Sequence, residues 1–326
     1  IPRQDVRKCL LKRLEPNTVQ WGKKLVDVED RGDDKGVRIC MENKVGVRVY
    51  DEFDCLIAAD GINSKVRSLT IGDSLSYLSI FLTLGLSHLD HQLVRERGFH
   101  TVDGYKSRLF TMPYAPGLTM WQLSYVLEEE EAKLLSTSGP ERILQKALEV
   151  TKEWHKPVED LLVSTQLPTI WGTPLYDRSA IPQRGKKGRI AGSCITFVGD
   201  AAHPMSPFKG QGANQALQDG PDLAKYLKEI LTKKRKISKL MKRYEIEMMH
   251  RTAPKVLSSR QAAQTLHSQN ALSHDRAFHG VSKQLNEKFL DKLRDDGPRA
   301  GAEDLDASLR DFLSKFRLSN KISAVE

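Results

Sequence analysis

The chain has 326 residues, 39% of them hydrophobic and 29% charged, enough to bury one large or two ordinary cores and unlike a disordered polypeptide. It has no apolar run of the ~18 residues that a membrane helix requires, so no transmembrane segment is expected. The net charge of +9 admits a polyanionic partner, but much of the excess falls in Leu231 to Arg243, where no aromatic residue is interleaved for base stacking. That stretch reads as a solvated helix end, and no nucleic-acid partner is expected.

The opening IPRQDVRKCLLKRL lacks an initiating Met and carries Arg and Lys through what would be the apolar core of a signal peptide. It reads as a start within a domain. The four cysteines, Cys9, Cys40, Cys55 and Cys194, form no CxxC pair. They are expected to be buried free thiols in a reducing, cytoplasmic compartment, and no metal-ligand set is read.

In chain order, Asp5 to Leu14 has the apolar spacing of a helix and stops at EPN. Three β-like runs follow, Thr18 to Val28, Val37 to Met41 and Val45 to Tyr50, separated by turn-rich EDRGDDKG and ENK, and predict a small meander. Cys55 to Ala59 is apolar on both faces, the pattern of a strand in a covered parallel sheet. From about Tyr77 to Ile181 the alternating segments RLFTMPY and LTMWQLSYVL predict antiparallel strands. SGPERILQKALEVTKEW predicts an amphipathic helix with Ser138 as N-cap and Pro140 in its first turn. Cys194 to Val198 returns to a buried strand, so one domain is expected to be inserted in another. A helix follows from near Gly212, with a kink expected at Gly220-Pro221. A second helix is expected to break or kink near Pro254.

The stretch VGDAAHPMSPFKGQGANQALQDG, Val198 to Gly220, concentrates the chemistry. A strand ending in Gly199-Asp200 presents a carboxylate at the carboxyl edge of a sheet, where open α/β sheets bind ligands. Gly210 and Gly212 remove side chains where a flat ligand must approach the backbone, and the helix start directs unpaired N–H groups at it. Such a terminus favours negative charge, including charge that a ring acquires on reduction. By itself the passage is equally a strand, turn and helix that only pack together.

A longer pattern resembles the GD motif of the group A flavin-dependent monooxygenases, which include para-hydroxybenzoate hydroxylase. It comprises Gly199-Asp200-Ala201-Ala202-His203, Pro207, Gly210-Gln211-Gly212-Ala213-Asn214, Ala216, Asp219 and Leu223-Ala224. DCLIAADGINSKVRS, Asp54 to Ser68, resembles the family's DG motif through Asp60-Gly61, Ser64, Val66 and Arg67. The N-terminal helix is similar to the family's R-x-x-L-x-x-x-L helix, with Arg3 in the cofactor-contacting place. The LEPNTVQWGKKLVDVE run looks most like the tetracycline-inactivating branch.

The resemblance implies an α/β fold: an FAD-binding Rossmann-like domain, N-terminally truncated here, interrupted by a mixed antiparallel-sheet substrate domain and followed by C-terminal helices. The expected boundaries are 1–72 with 187–232 for the FAD-binding domain, 73–186 for the substrate domain, 233–270 for a C-terminal helix and 271–326 for a charged, partly helical tail. The family's G-x-G-x-x-G, which holds the FAD pyrophosphate, does not occur before Arg3.

The implied cofactor is FAD, with NADPH or NADH as co-substrate. The implied FAD-binding residues are Arg3, Asp60, Asp200, Pro207, Gly210, Gln211, Gly212, Ala213 and Asn214, with Asp60 and Arg67 also offered to the nicotinamide cofactor. Asp200 is assigned to the ribityl chain. The implied reaction is hydroxylation of a small organic substrate, aromatic or polycyclic, with O2 through a flavin C4a-hydroperoxide, so no side chain is assigned as catalytic. His203 is read as structural. Phe110, Trp121 and Trp171 are candidates for either the substrate pocket or core packing. A reductase or dehydrogenase of the same fold, or a non-catalytic homologue, are the alternatives.

Overall fold

A computed structural model describes residues 3–95, 100–103, 106–178, 193–233 and 235–272. The expected boundary at 187 and nearly all of the expected tail, 273–326, lie outside the described residues.

The chain opens with helix α1, Arg3–Leu11. Strands β1 (Lys23–Asp30), β2 (Val37–Asn43) and β3 (Arg48–Phe53) form the expected antiparallel meander. Its turns use Gly36 and Gly46 in the left-handed region. A Cβ at Gly36 would stand 2.1 Å from the Phe53 carbonyl oxygen, so only glycine fits there.

Strand β4 (Leu56–Ala58) and helix α2 (Lys65–Thr70) form the DG segment. Next comes the inserted unit: β5 (Ser76–Ser87), α3 (Gln92–Arg95), β6 (His100–Val102), β7 (Ser107–Ala115), β8 (Leu118–Val126), α4 (Glu129–Ser136), α5 (Pro140–Val150), α6 (Val158–Val163) and β9 (Trp171–Asp177). Its five strands form an antiparallel sheet in the order β6-β7-β8-β5-β9. Phe81, Leu109, Trp121, Leu123 and Tyr125 project from one face of this sheet onto Ala132, Ile143, Ala147, Leu161 and Leu162 of the three helices. The helix α5 start differs from expectation. Its N-cap is Gly139, at φ 92°, while Ser138 Oγ donates to the Leu135 carbonyl and closes α4 instead.

Strand β10 (Ile195–Phe197) then pairs in parallel with β4, Phe197 opposite Ala58. Among the described residues this parallel sheet has two strands. β4 is not covered on both faces as its composition suggests: Ala58 is buried, whereas Ile57 is 36% exposed.

Helices α7 (Gly212–Lys233) and α8 (Ile237–Leu266) complete the described fold. Both run through their prolines, Pro221 and Pro254, as single helices. A proline inside a helix costs ~3 kcal/mol. Burying a large apolar side chain contributes ~2 kcal/mol, and Leu223, Tyr226, Leu240, Met241, Tyr244 and Met248 are all buried at the α7–α8 contact. Their packing outweighs the proline defect. Helix α8 also reaches both parts of the molecule: Thr196 of β10 donates to Glu245 at 2.9 Å, and Arg260 donates twice to the carboxylate of Asp177 at the end of β9.

The cysteines are free, with Cys40 and Cys194 buried, Cys55 half-buried and Cys9 exposed. The Cys9 expectation fails because the face of α1 that carries it lies in solvent. Among the described residues no helix is long and apolar enough to cross a membrane.

Candidate functional site

Because β4 and β10 are parallel neighbours in register, their carboxyl ends bring two segments to one sheet edge. Asp60 follows β4 by two residues and Asp200 follows β10 by three, and both are exposed. Asp60 Oδ2 accepts the backbone N–H groups of Lys65 (2.8 Å) and Val66 (3.2 Å). Ser64 Oγ accepts that of Arg67 at 3.0 Å. These bonds satisfy the orphan donors that begin α2.

Arg67 is 1% exposed. It forms a two-pronged pair with Asp73, the shortest contact being 2.6 Å. Its Nη1 donates to the carbonyl oxygens of Ala201 (2.9 Å) and Ala202 (2.6 Å). The Asp73 carboxylate also accepts from Arg178 at 2.9 Å. The DG segment, the GD turn and the end of β9 are thereby fixed together by one buried charge network.

Gly199 takes φ 58°, and a short 3-10 turn runs from Gly199 to Ala201. Behind this turn lies the fully buried Asp219 of α7. Its carboxylate accepts the Gly199 N–H at 2.7 Å, meets His203 Nε2 at 2.8 Å and accepts Arg251 Nη2 at 2.6 Å. Burial pushes the Asp219 carboxyl up, but hydrogen bonding and charge from His203, with the Gly199 and Arg251 bonds, outweigh it and hold the group below the usual carboxylate range. Against a carboxylate, His203 Nε2 must carry its proton, so the ring braces the turn. This agrees with its structural reading.

Past the turn, Ser206 Oγ donates to the Ser259 carbonyl of α8 at 2.8 Å. Pro207–Lys209 then form a 3-10 turn that ends at Gly210, at φ 60°. Among the described residues, chain neighbours aside, no atom stands within 4 Å of where a Cβ on Gly210 would be, and the nearest to one on Gly212 is Met205 Cγ at 3.7 Å. Helix α7 begins there. The N–H groups of its first turn have no intrahelical partner, and Ala213 and Asn214 are exposed.

The inserted sheet supplies the opposite wall. His100, Phe110, Gln122, Leu84 and Trp171 stand in one cross-strand row spanning β6, β7, β8, β5 and β9. Since directly paired residues project from the same side, this row and the adjacent Arg108–Ser124 pair belong to the face turned away from α4–α6. That face meets the rest of the protein: the Arg108 guanidinium lies 5.5 Å from the Phe208 ring, and Ser124 Oγ is 2.9 Å from His267 Nε2. Phe110 and Trp171 are on this wall. Trp121 is on the other face, 0% exposed, with Nε1 donating to Thr165 at 2.8 Å; it is a core residue.

The 3-10 turn that joins the GD turn to the glycine-led helix thus lies against the inserted antiparallel sheet through Phe208. Residues 104–258 match the family model described as an FAD binding domain. The chain carries the FAD-binding fold of the group A flavin-dependent monooxygenases.

Two curated relatives are a chloroplastic zeaxanthin epoxidase of Arabidopsis thaliana and the 3-amino-4-hydroxybenzoate 2-monooxygenase of Streptomyces cremeus. The first is 30% identical over 70% of this chain and 32% of its own length; the second is 31% identical over 67% and 51%. The chain therefore spans roughly a third to a half of these relatives. Among solved structures, the HpxO protein of Klebsiella pneumoniae complexed with FAD and uric acid superposes with a TM-score of 0.66. It is 20% identical, covering 96% of this chain and 72% of that one.

FAD is the cofactor of this fold, and the donor set at the edge suits its flavin end. Two carboxylates follow the ends of β4 and β10, amides without an intrahelical partner begin α7, and among the described residues nothing beyond its chain neighbours crowds Gly210.

Of the nine residues expected to bind FAD, Asp60, Asp200, Pro207, Gly210, Gln211, Gly212, Ala213 and Asn214 fall on this edge and loop. Arg3 lies in α1, and its side chain is outside the described residues. Arg67, offered to the nicotinamide cofactor, is spent on the buried network. Sequence reasoning missed Arg251, Arg108 and His267, whose neighbours are brought to them by tertiary packing alone. For Arg108 a period-2 count along RLFTMPY places it with Phe110, and this was the available signal.

Proposed function

We propose that the protein is an FAD-dependent monooxygenase that hydroxylates an organic, aromatic-type substrate using NADPH or NADH and O2. The observation that carries this reading is the GD turn, Gly199-Asp200, set against the open Gly210–Asn214 helix start at the same sheet edge as Asp60. When bound there, FAD supplies the redox chemistry, accepting reducing equivalents from the nicotinamide and activating O2.

The chain's own residues do the positioning. With FAD bound, Asp200 would accept hydrogen bonds from its ribityl hydroxyls. The first-turn amides of α7 would face the flavin and favour negative charge on it. Asp219, His203 and Arg67 fix the backbone that carries both. The sheet wall of Phe110, Gln122 and Trp171 excludes water from one side of the substrate and offers aromatic contact. The proposed division follows the expected one: 73–186 for the substrate, and 1–72 with 187–232 for FAD.

The test is to purify the protein with FAD, measure retention of yellow flavin absorbance on gel filtration, and follow substrate-dependent NADPH or NADH oxidation under labelled O2. Retained flavin and one labelled oxygen atom in the product support the reading. Nicotinamide oxidation with no label in the product overturns it.

A further inference from the structure

We propose that the corner where α7 meets α8 is a docking surface for an anionic membrane face, with Leu231 as its apolar anchor and Lys228, Arg235, Lys236, Lys239 and Lys242 as its cations.

Helical spacing sorts these residues to the outside of the helix pair. On α8, Leu240, Met241, Tyr244 and Met248 are buried in the contact with α7, while Lys239 and Lys242, three residues apart, lie on the opposite, exposed stripe. On α7, Leu223 and Tyr226 are buried, whereas Lys228 and Leu231, again three apart, face out. Arg235 and Lys236 lie between the two helices and are exposed.

The stretch Leu231 to Arg243 holds no acidic residue, and the nearby acids are committed elsewhere. Asp222 pairs with Lys225 at 2.8 Å, and Glu229 lies 3.9 Å from Arg243. Asp33, whose charge reaches Lys236, holds the backbone N–H and hydroxyl of Ser238. Lys239 stands one helical turn from both Lys242 and Arg243, and like charges at that spacing repel. The cluster therefore opposes the helix that carries it, and a polyanionic surface relieves that repulsion.

Two features favour a bilayer over a nucleic acid. Leu231 is 82% exposed, an apolar group able to reach the boundary between headgroups and acyl chains while the surrounding cations stay at headgroup level. No aromatic residue between Leu231 and Arg243 is available to stack on bases. Helix α7 is 22 residues long, so this corner stands about 30 Å from the Gly212 end, and docking here does not touch the GD loop.

The experiment sediments the protein with vesicles of phosphatidylcholine alone or with one third phosphatidylserine, at low and at half-molar salt. Binding is expected to the phosphatidylserine vesicles at low salt only, because salt screens exposed charges. Replacing Lys228, Lys239 and Lys242 by Gln should weaken it about a hundredfold, at roughly fivefold for each cation near such a surface. The same replacement of Lys23, Lys24 and Lys152, exposed cations elsewhere, removes equal charge and should weaken it far less. Leu231→Gln should weaken it several-fold without changing the salt dependence.

Equal losses in the two triple variants show that net charge alone governs binding and overturn the inference. So does a Leu231→Gln protein that binds as the parent does, or a parent that binds neither vesicle. Tighter binding to an oligothymidine than to the vesicles at equal phosphate concentration, lost on replacing Lys228, Lys239 and Lys242, assigns the corner to nucleic acid and also overturns it. Should the first triple variant fail to fold, Lys228→Gln and Lys242→Gln singly, each expected to weaken binding about fivefold, decide. Vesicle binding is read without flavin or turnover, so its outcome stands apart from the proposed reaction.

Discussion

Asp219 accepts the backbone N–H of Gly199 at 2.7 Å across 20 residues of chain. The same carboxylate carries His203 and Arg251, so a single buried acid sets the conformation of the turn that presents Asp200. Asp219→Asn keeps the shape but removes the charge. It leaves Arg251 without its 2.6 Å partner and presents an amide where an acceptor is required. The expected loss is about 3 kcal/mol of stability, as for other broken buried charge pairs, together with weaker flavin retention. Denaturant unfolding and gel filtration with FAD check both.

The same group gives a pH dependence of definite sign. The folded-state pKa of Asp219 lies below its ordinary value, so the folded state binds this proton less readily than the unfolded state does. Its contribution is complete above the unfolded value of about 3.9 and is lost as pH falls through the folded value. Thermal melting followed from pH 7 to pH 3 should show a steep loss at the acid end, and Asp219→Asn should flatten it. An unchanged acid limb in the variant would refute the assignment.

The GD stretch was legible because its chemistry is local: a strand end, a left-handed glycine and a helix start adjoin in the chain, and so do Asp60, Ser64 and the α2 amides. The meander and the inserted antiparallel sheet followed from turn residues and alternation in the same way. What braces these parts lies far away in sequence. Asp33, in the β1–β2 turn, accepts the backbone N–H of Ser238 at 2.8 Å and its hydroxyl at 2.6 Å, capping α8 from 205 residues away. Neither that cap nor the Arg251–Asp219 pair has a periodic or spacing signature. Ser138 shows the converse: a residue with good N-cap chemistry was used to close the preceding helix, because Gly139 could take the positive φ that joins α4 to α5.

Arg67 offers a test that separates a structural role from a nicotinamide-binding one. With 1% exposure and bonds to Asp73, Ala201 and Ala202, its guanidinium has little surface for a nucleotide. Arg67→Met would strand Asp73 with Arg178 and leave both carbonyl oxygens without a donor, a loss of about 3 to 5 kcal/mol. Arg67→Lys restores the charge but not the fork, and should lower melting temperature and flavin retention with little change in the KM for NADPH or NADH. A KM that rises while stability is unchanged would return Arg67 to the nucleotide. Asp60→Ala, at an exposed cap, should cost about 1 kcal/mol.

Gly210 tests whether the loop is shaped for the chain's own packing or for a ligand. Its φ of 60° makes any L side chain there unfavourable by about 1 kcal/mol, yet among the described residues a Cβ would meet no atom within 4 Å beyond its chain neighbours. Gly210→Ala should therefore reduce stability only by that backbone cost. A methyl group on the open side of the loop stands where the flavin face would approach, so FAD retention should fall by clearly more than the stability loss explains. Unfolding by denaturant and FAD binding followed by flavin fluorescence quenching give the two quantities independently. Equal losses would mean that the glycine serves the turn alone, and an excess loss in binding identifies Gly210 as part of the flavin seat.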